Sequence, residues 1–531
     1  MNGKKVKILY LQPFEYFGDT RFLTESFLRI SNYLNSKKEE LNIDIEEEYL
    51  DLRFEGLPLY CPENLNEYRL ELKNLLLNTF ERFNFEICAI SCYTSFTYLN
   101  SMEVAFMIKN VINPSCYTII GGYHPTVMSE DFYLKNIPDY LRDFYNPKAS
   151  PIDFLVQDEG ELPFFHFIKN FINGTISARS CLKDKPQILP RRIMEDLNEL
   201  AVLNLDLFKK YKDIIKKNGD FYINFTRGCL FRCKFCSSSI DSKMKSYRSV
   251  RFKSIDRCIA EIDVILRTKW LSIDKLMIDD PVFFPKRSMK REFFQKFSKF
   301  KRIPFKIYVH DRIELCSRED LRNYKKFNLI PGFGLETGSP TLLCRLGKFL
   351  GKNNSIIHAK KYLQKVEEII KYSNEIGAQI IFLCMGASPG MDSETIKEST
   401  EFFLSKRFSG KSLIEKYPIN LQIQKFAILP GNTFYENGEN FLFSKFYFKK
   451  WWKIFDKEQA LYSTLLKPSK YLSFSEAMGF LKDFLSKLYR AQMRLKNPSY
   501  NLPEYFFHQK LYKRTLELYN YKVLKEKSII Y

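Results

Sequence analysis

Short apolar runs alternate with stretches of helical spacing along the first 180 residues. Residues 5–11, 43–50, 87–92, 117–120 and 154–157 read as strands, and 22–34, 70–83, 101–112 and 162–172 read as helices. This alternation predicts a Rossmann-like, doubly wound parallel sheet, with ligands at the carboxyl ends of its strands. A second series begins at residue 221. Strands are expected at 221–225, 275–278, 305–309, 331–335, 378–383 and 420–427. Helices are expected at 255–266, 289–300, 321–327, 362–376 and 393–404, with Gly377 placed as a C-cap residue would be. Six strand–helix units of this kind make a second parallel α/β series, again with function at the carboxyl ends of its strands. Helical spacing returns over 477–495, between lysines and arginines.

The 531-residue length suits two or three domains. The expected division is an α/β sheet domain over 1–180, a proline-containing charged linker over 181–218, the second α/β series over 219–435 and a helical C-terminal cap over 436–531. Charge is divided unevenly. Residues 1–180 hold 17 Lys+Arg against 25 Asp+Glu, and the remainder 66 against 37. The basic part suits an anionic substrate, an acidic partner protein or a solvated lysine surface. Nothing in it resembles a dedicated nucleic-acid module. No apolar run approaches a membrane span, and the opening apolar run is too short for a signal peptide. Twelve cysteines outside a small secreted scaffold fit a reducing, cytoplasmic setting.

Three of those cysteines, Cys229, Cys233 and Cys236, form a C-x3-C-x2-C run behind the expected strand 221–225. Random placement gives about 0.006 such patterns in a chain of this composition. Thiolates are the soft ligands that iron–sulfur clusters require, and three of them leave one iron of a cubane open. The next cysteine, Cys258, lies 22 residues further on. Half of a zinc site is the competing reading, but no second paired-Cys or Cys/His motif accompanies the run.

The run, with Phe235 before its last cysteine, resembles the signature of the radical S-adenosylmethionine (SAM) enzymes. That resemblance implies a partial (β/α)6 barrel over residues 219–435, a [4Fe–4S] cluster on Cys229, Cys233 and Cys236, and a SAM molecule on the open iron. It also implies an external one-electron reductant such as a flavodoxin or ferredoxin. Asp279 and Asp280 resemble the family's acidic pair beside the amino group of SAM. Gly334, Glu336 and Ser339 resemble the turn that meets its ribose or methionine end, and Gly386, with Pro389 and Gly390, the turn along its adenine. Arg248 and Arg251 stand where a basic side chain could support its carboxylate.

Ahead of the cysteines, Gln12-Pro13, Ile90-Ser91, Gly121-Gly122-Tyr123-His124 and Glu159-Gly160-Glu161 resemble landmarks of the cobalamin-binding subfamily, in the same order. The resemblance implies a cobalamin near Gly121, Gly122 and His124. The Asp-x-His-x-x-Gly motif that supplies a histidine to cobalt elsewhere is absent. The expectation is therefore a radical SAM enzyme that uses cobalamin to methylate an unactivated carbon of a small-molecule or peptide substrate. Three alternatives stay open: a non-methylating radical rearrangement or cyclisation, a tRNA methylthiotransferase, and a non-catalytic redox or cobalamin sensor.

Overall fold

The computed structural model describes residues 4–14, 23–176, 184–386, 388–426, 428–441, 449–455 and 472–501. Its first sheet has six parallel strands: β1 (Lys4–Gln12), β3 (Ile43–Asp51), β4 (Ile87–Ser91), β5 (Tyr117–Gly121), β6 (Phe154–Val156) and β7 (Gln187–Ile188), with β2 (Leu23–Thr24) lying elsewhere. The order is β3-β1-β4-β5-β6-β7, so the chain reverses its direction of travel between β1 and β4. A crevice for ligand is expected there. Every residue of β4 is buried, as a strand covered by helices on both faces must be. The helices Ser26–Ser36, Leu65–Phe83, Tyr98–Met107 and Glu161–Ile172 provide that cover.

The second sheet holds β8 (Asp220–Ile223), β11 (Lys275–Ile278), β12 (Lys306–Asp311), β13 (Leu329–Glu336), β14 (Ile381–Gly386) and β15 (Asn420–Lys425). Its order is β15-β14-β13-β12-β11-β8-β2, all parallel. A short antiparallel pair, β9 (Thr226–Arg227) and β10 (Arg251–Phe252), brackets the cysteine run. Helices Ile255–Arg267, Arg287–Phe297, Arg318–Lys326, Ile356–Ile376 and Ser393–Leu404 follow successive strands, and Gly377 ends the fourth of them at φ +69°. With helix Thr433–Phe441 after β15, six strand–helix units are present, with one strand more than expected.

That strand corrects the reading of residues 22–34 as one helix. Leu23 and Thr24 pair with Phe221 and Tyr222 at the edge of the second sheet, and the helix begins only at Ser26. The stretch expected to link the two sheets also gives β7 to the first of them. Charge then locks the two sheets together. Fully buried Arg29 sits between Glu25 (2.7 Å) and Glu261 (2.6 Å), and Glu261 also takes Lys253 at 2.9 Å. Arg227 meets Glu159 at 2.9 Å and Glu161 at 2.5 Å, while Arg251 meets Glu159 at 2.5 Å.

Helix Phe474–Arg494 packs on the barrel. Gln492 donates to the carbonyls of Ile414 and Tyr417, and Leu481 lies against Gly386. Trp451 and Trp452 are buried between the two halves: they pack on Phe96 and His124 of the first, while Trp451 donates to the Ile428 carbonyl after β15 and Trp452 lies against Tyr435. Residues 442–448, 456–471 and 502–531 of the expected C-terminal region lie outside the described residues.

Candidate functional site: two adjoining cavities

The cysteine run leaves the carboxyl end of β8 through Gly228, whose φ of +95° suits glycine. A Cβ there would stand 2.0 Å from the Ser249 carbonyl oxygen, so a side chain would push the loop off the β9–β10 bracket. Cys229, Cys233 and Cys236 line a cavity of about 400 Å3 at the carboxyl ends of β8, β11, β12 and β13. Burial pushes the thiols of Cys229 and Cys236 up, that of Cys236 to about 12, with the neighbouring cysteines adding to the rise. The positive charges of Arg312 and Lys348 pull the Cys229 thiol back down. Arg312 stacks on Phe231 at 3.7 Å and directs a guanidinium N–H to the Cys233 sulfur at 3.6 Å, and the Cys233 thiol donates to the Lys348 carbonyl at 3.8 Å. Among the described residues no three His, Cys, Asp or Glu side chains gather around a point that would hold a single metal ion. A cubane takes one thiolate per iron, and three cysteines lining one cavity match that donor set in kind and number.

Asp280 supplies the second fit. One carboxylate oxygen accepts the backbone N–H groups of Phe225 (2.8 Å) and Thr226 (2.9 Å), which ties β11 to the start of the cysteine loop. The other, Oδ2, is buried without a hydrogen-bond partner on a residue that lines the cavity. Burial pushes this carboxyl up to about 7, against the pull of the two N–H groups and Lys253. A buried orphan acceptor of this kind suits an ammonium group. Asp279 lines the same cavity with its side chain half exposed and His310 Nδ1 3.7 Å away. Its carbonyl accepts from the Asn224 amide.

Glu336 sits at φ +67° and holds Lys348 Nζ at 2.8 Å, and the same ammonium donates to the Gly334 carbonyl at 2.6 Å. A Cβ at Gly334 would meet the Glu336 carboxylate at 2.5 Å, so the glycine makes room for this pair. Phe235 lines the cavity, and its carbonyl accepts from Asn432.

Five of the expected site residues fall elsewhere. Ser339 is fully buried, caps helix Pro340–Arg345 by accepting the Leu342 N–H, and donates to Glu398. Gly386 packs under Leu481, where a Cβ would come within 2.6 Å. Arg251 is consumed by Glu159 and the Met194 and Ser246 carbonyls, and Arg248 is exposed. His124 is fully buried, with Nδ1 2.8 Å from Ser95 and Asp131 3.4 Å away, beside Trp452. Asp131 also accepts from the Trp452 indole at 2.6 Å, so His124 belongs to the anchorage of the 449–455 segment and does not line the crevice described next.

That crevice, of about 260 Å3, opens at the carboxyl ends of β4, β5 and β6. Ser91, Tyr93, Gly121, Gly122 and Asp158 form one wall, and Arg227, Met244, Ser246 and Tyr247 the other. Gly122, at φ +119°, has the Cys92 carbonyl oxygen 2.7 Å from where a Cβ would stand, so only glycine fits this turn at the edge of the crevice. Asp158 keeps its Oδ2 buried without a hydrogen bond there. Among the described residues no histidine lines this crevice. Asn224, Tyr247, Asp279 and Pro281 line both the crevice and the cysteine cavity, so the two spaces adjoin. Below them, His310, Gly332 and Leu383 are shared with a third space of about 290 Å3 inside the barrel, lined by Tyr222, Tyr308, Asn420 and Gln422 with Asp220 and Lys275.

Arg312, Lys348, Asn224 and Tyr247 are wall residues that sequence reasoning did not single out. Arg312 had a usable signal, a basic residue ending a barrel strand. Lys348 had none, since it comes from a loop twelve residues beyond Glu336.

A parallel α/β sheet with an open crevice, joined to a partial barrel, is a fold that the chain shares with solved structures of two SAM-dependent radical enzymes. Among solved structures, the chain superposes on the cobalamin-dependent radical enzyme OxsB with a TM-score of 0.61 at 13% identity, covering 98% of this chain and 71% of that one. It superposes on the radical SAM methyltransferase TsrM of Kitasatospora setae, solved with cobalamin and a [4Fe–4S] cluster, with a TM-score of 0.54 at 13% identity, covering 83% and 78%. No family model matches. By sequence it is similar to an anaerobic magnesium-protoporphyrin IX monomethyl ester cyclase of Rubrivivax gelatinosus, at 24% identity over 37% of this chain. It is also similar to an uncharacterized methyltransferase of Pyrococcus horikoshii, at 28% identity over 35%. The matches span 34% and 38% of those two relatives. No helix among the described residues is long and apolar enough to cross a membrane.

Proposed function

We propose that the chain is a radical SAM enzyme that uses cobalamin to methylate an unactivated carbon. The observation that carries this reading is the shared wall of Asn224, Tyr247, Asp279 and Pro281, across which groups bound in the two cavities would face each other. Cys229, Cys233 and Cys236 would each hold one iron, with Arg312 and Lys348 offsetting thiolate charge. Asp280 would take the amino group of SAM, and the Gly334–Glu336–Lys348 cluster would meet its polar end. The Gly121–Gly122 turn would face the corrin. When bound, these groups supply one-electron cleavage of SAM to a 5′-deoxyadenosyl radical and a methyl group carried on cobalt. The protein's part is to hold the reactants in register and to keep water out. A one-electron donor must reach the cluster from outside. The barrel interior, with its tyrosine and amide side chains, is the proposed seat of the substrate. These groups suit a hydrogen-bonding molecule more than a strongly anionic one.

Anaerobic reconstitution with iron, sulfide and hydroxocobalamin tests the reading. Iron–sulfur and corrinoid absorption should both remain after desalting, and S-adenosylhomocysteine should accumulate when SAM, reductant and substrate are supplied. Retention of the cluster without the corrinoid would turn the reading towards a non-methylating cyclisation or rearrangement, the side on which the Rubrivivax relative's name falls.

Asp280 makes a pH-dependent prediction. An ammonium is held by the carboxylate form, so SAM affinity should fall by about tenfold per pH unit below the carboxyl's value of about 7. Above about 7.7–8.0 an α-amino group loses its proton, and affinity should fall again. Asp280→Asn keeps an oxygen for the Phe225 and Thr226 N–H groups but turns an NH2 towards the cavity. It should weaken SAM binding by about 10–100-fold, the loss of a charged hydrogen bond, and remove the acid limb. Equilibrium dialysis on cluster-loaded protein reads both. Unchanged affinity with the acid limb intact would remove Asp280 from the site.

A further inference from the structure

We infer that the outer face of the cysteine loop, together with the segment after helix Pro340–Arg345, is the docking surface for a small acidic one-electron carrier protein. The inference rests on the reading of Cys229, Cys233 and Cys236 as cluster ligands, and it assigns the place where the electron enters. Two stretches far apart in sequence meet at this face. The Lys348 carbonyl touches the Cys233 sulfur, and the Lys234 side chain packs where a Cβ on Gly347 would stand, 3.0 Å from its Cγ. Phe349 then packs on His358 at 4.7 Å, which brings the first turn of helix Ile356–Ile376 alongside.

Both stretches are free of acid. Residues 225–240 hold three basic residues and no Asp or Glu, and residues 337–366 hold six and none. Arg227 is taken by Glu159 and Glu161, Arg345 by Asp392 and Lys348 by Glu336, and Lys365 donates to the Glu314 carbonyl, so the charge this face presents to water is that of Arg232, Lys352, Lys360 and Lys361. Between the charges stand large apolar side chains in water: Leu230 is 50% exposed, Leu350 38%, Ile356 40% and Ile357 71%. Lys352, Lys360 and Lys361 of the same stretch are exposed, and among the described residues exposed Arg232 pairs with the exposed Asp241 at 3.8 Å. A modest apolar centre within a rim of one sign of charge fits a transient partner of opposite charge, which is steered in by the field and released quickly. Cys229 and Cys233 lie directly beneath, 9% and 7% exposed. One electron passes from the reduced carrier to the cluster, the carrier is oxidised by one electron, and no atom is transferred.

The test uses full-length, cluster-loaded protein and a flavodoxin reduced to its hydroquinone. Two readouts are taken at low ionic strength: the dissociation constant of the complex, and the rate at which flavodoxin bleaches the cluster absorption. Lys352→Glu/Lys360→Glu should weaken binding and slow bleaching by about tenfold or more. Ile357→Ser should weaken binding without changing its salt dependence. Reversal of a remote exposed lysine, Lys73→Glu, should change neither, and reduction by dithionite should be the same in every variant. Wild-type protein that does not bind flavodoxin, or variants that bind and bleach like wild type, would overturn the assignment. Concentration-dependent self-association abolished by Ile357→Ser would overturn it as well, giving the face to a second copy of the chain. A wild-type protein that holds no cluster for dithionite to reduce would instead bring down the reading of the cysteines, a separate failure.

Discussion

Cys233→Ala, reconstituted anaerobically beside the wild type, is expected to lose its iron–sulfur absorption and with it all reductive cleavage of SAM. Outer-shell partners of metal ligands are worth about 10–100-fold in affinity or activity, so removal of a ligand itself should cost more than about 100-fold. Cys233 is the cysteine with positive charge closest to it, from Arg312 at 3.6 Å, and its sulfur lies against the Lys348 carbonyl. Alanine removes one iron's anchor and leaves that guanidinium beside an apolar methyl. The fold should survive, because Cys233 is a loop residue bracketed by β9 and β10 rather than a strand or helix position. Thermal unfolding of the cluster-free proteins should therefore agree within about 1 kcal/mol, as a single small change outside the packed core does. Arg312→Gln gives the intermediate case: the ligand remains, the charge beside it is lost, and the cluster should assemble but lose iron faster to a chelator. Full SAM cleavage by Cys233→Ala would remove the cluster from these cysteines.

The features legible in the sequence were those written in local patterns. The apolar run Lys275–Ile278 is a strand with the expected ends, and Ser393–Leu404 is a helix with the expected ends, because periodicity and caps act over a few residues. The cysteine loop was legible because ligand spacing is itself a sequence feature. What stayed hidden depends on partners far away in the chain. Leu23–Thr24 is too short to show a period and becomes a strand only because Phe221 and Tyr222 lie beside it. Ser339 and Gly386 stand near expected site turns, yet one answers to Glu398 and the other to Leu481 of the terminal helix, contacts that no motif records. His124 behaves likewise, since Asp131 and Trp452 decide its place. The same holds for the docking face, whose two acid-free stretches are visible in the sequence while their meeting at Cys233 is not.

Glu261→Leu is expected to destabilise the protein by about 3–5 kcal/mol, the cost of stripping one partner from a buried ion pair. Glu261 is 1% exposed and is held by Arg29 at 2.6 Å, Lys253 at 2.9 Å and Arg257 at 3.3 Å. Leucine fills the volume but leaves Lys253 without a carboxylate partner and Arg29 with only Glu25. Arg29 follows the strand that joins the first half to the barrel sheet, so the loss should also loosen the crevice between them and appear in the first unfolding transition. The charge has a pH signature of known sign. Burial pushes the Glu261 carboxyl up, but Arg29 and then Lys253 outweigh it and hold it at about 2, below the ordinary 4.5. A carboxyl depressed on folding adds stability above the unfolded value, and that stability drains away as pH falls from about 4.5 through about 2. The amount is about 3 kcal/mol, in line with the mutational cost. Glu261→Gln keeps the shape and removes the charge, so denaturant titrations should show a wide gap from wild type at pH 7 that has more than half closed by pH 3. A gap of equal size at both pH values would mean that Glu261 acts through packing alone, and that the two halves are not held together by charge at this point.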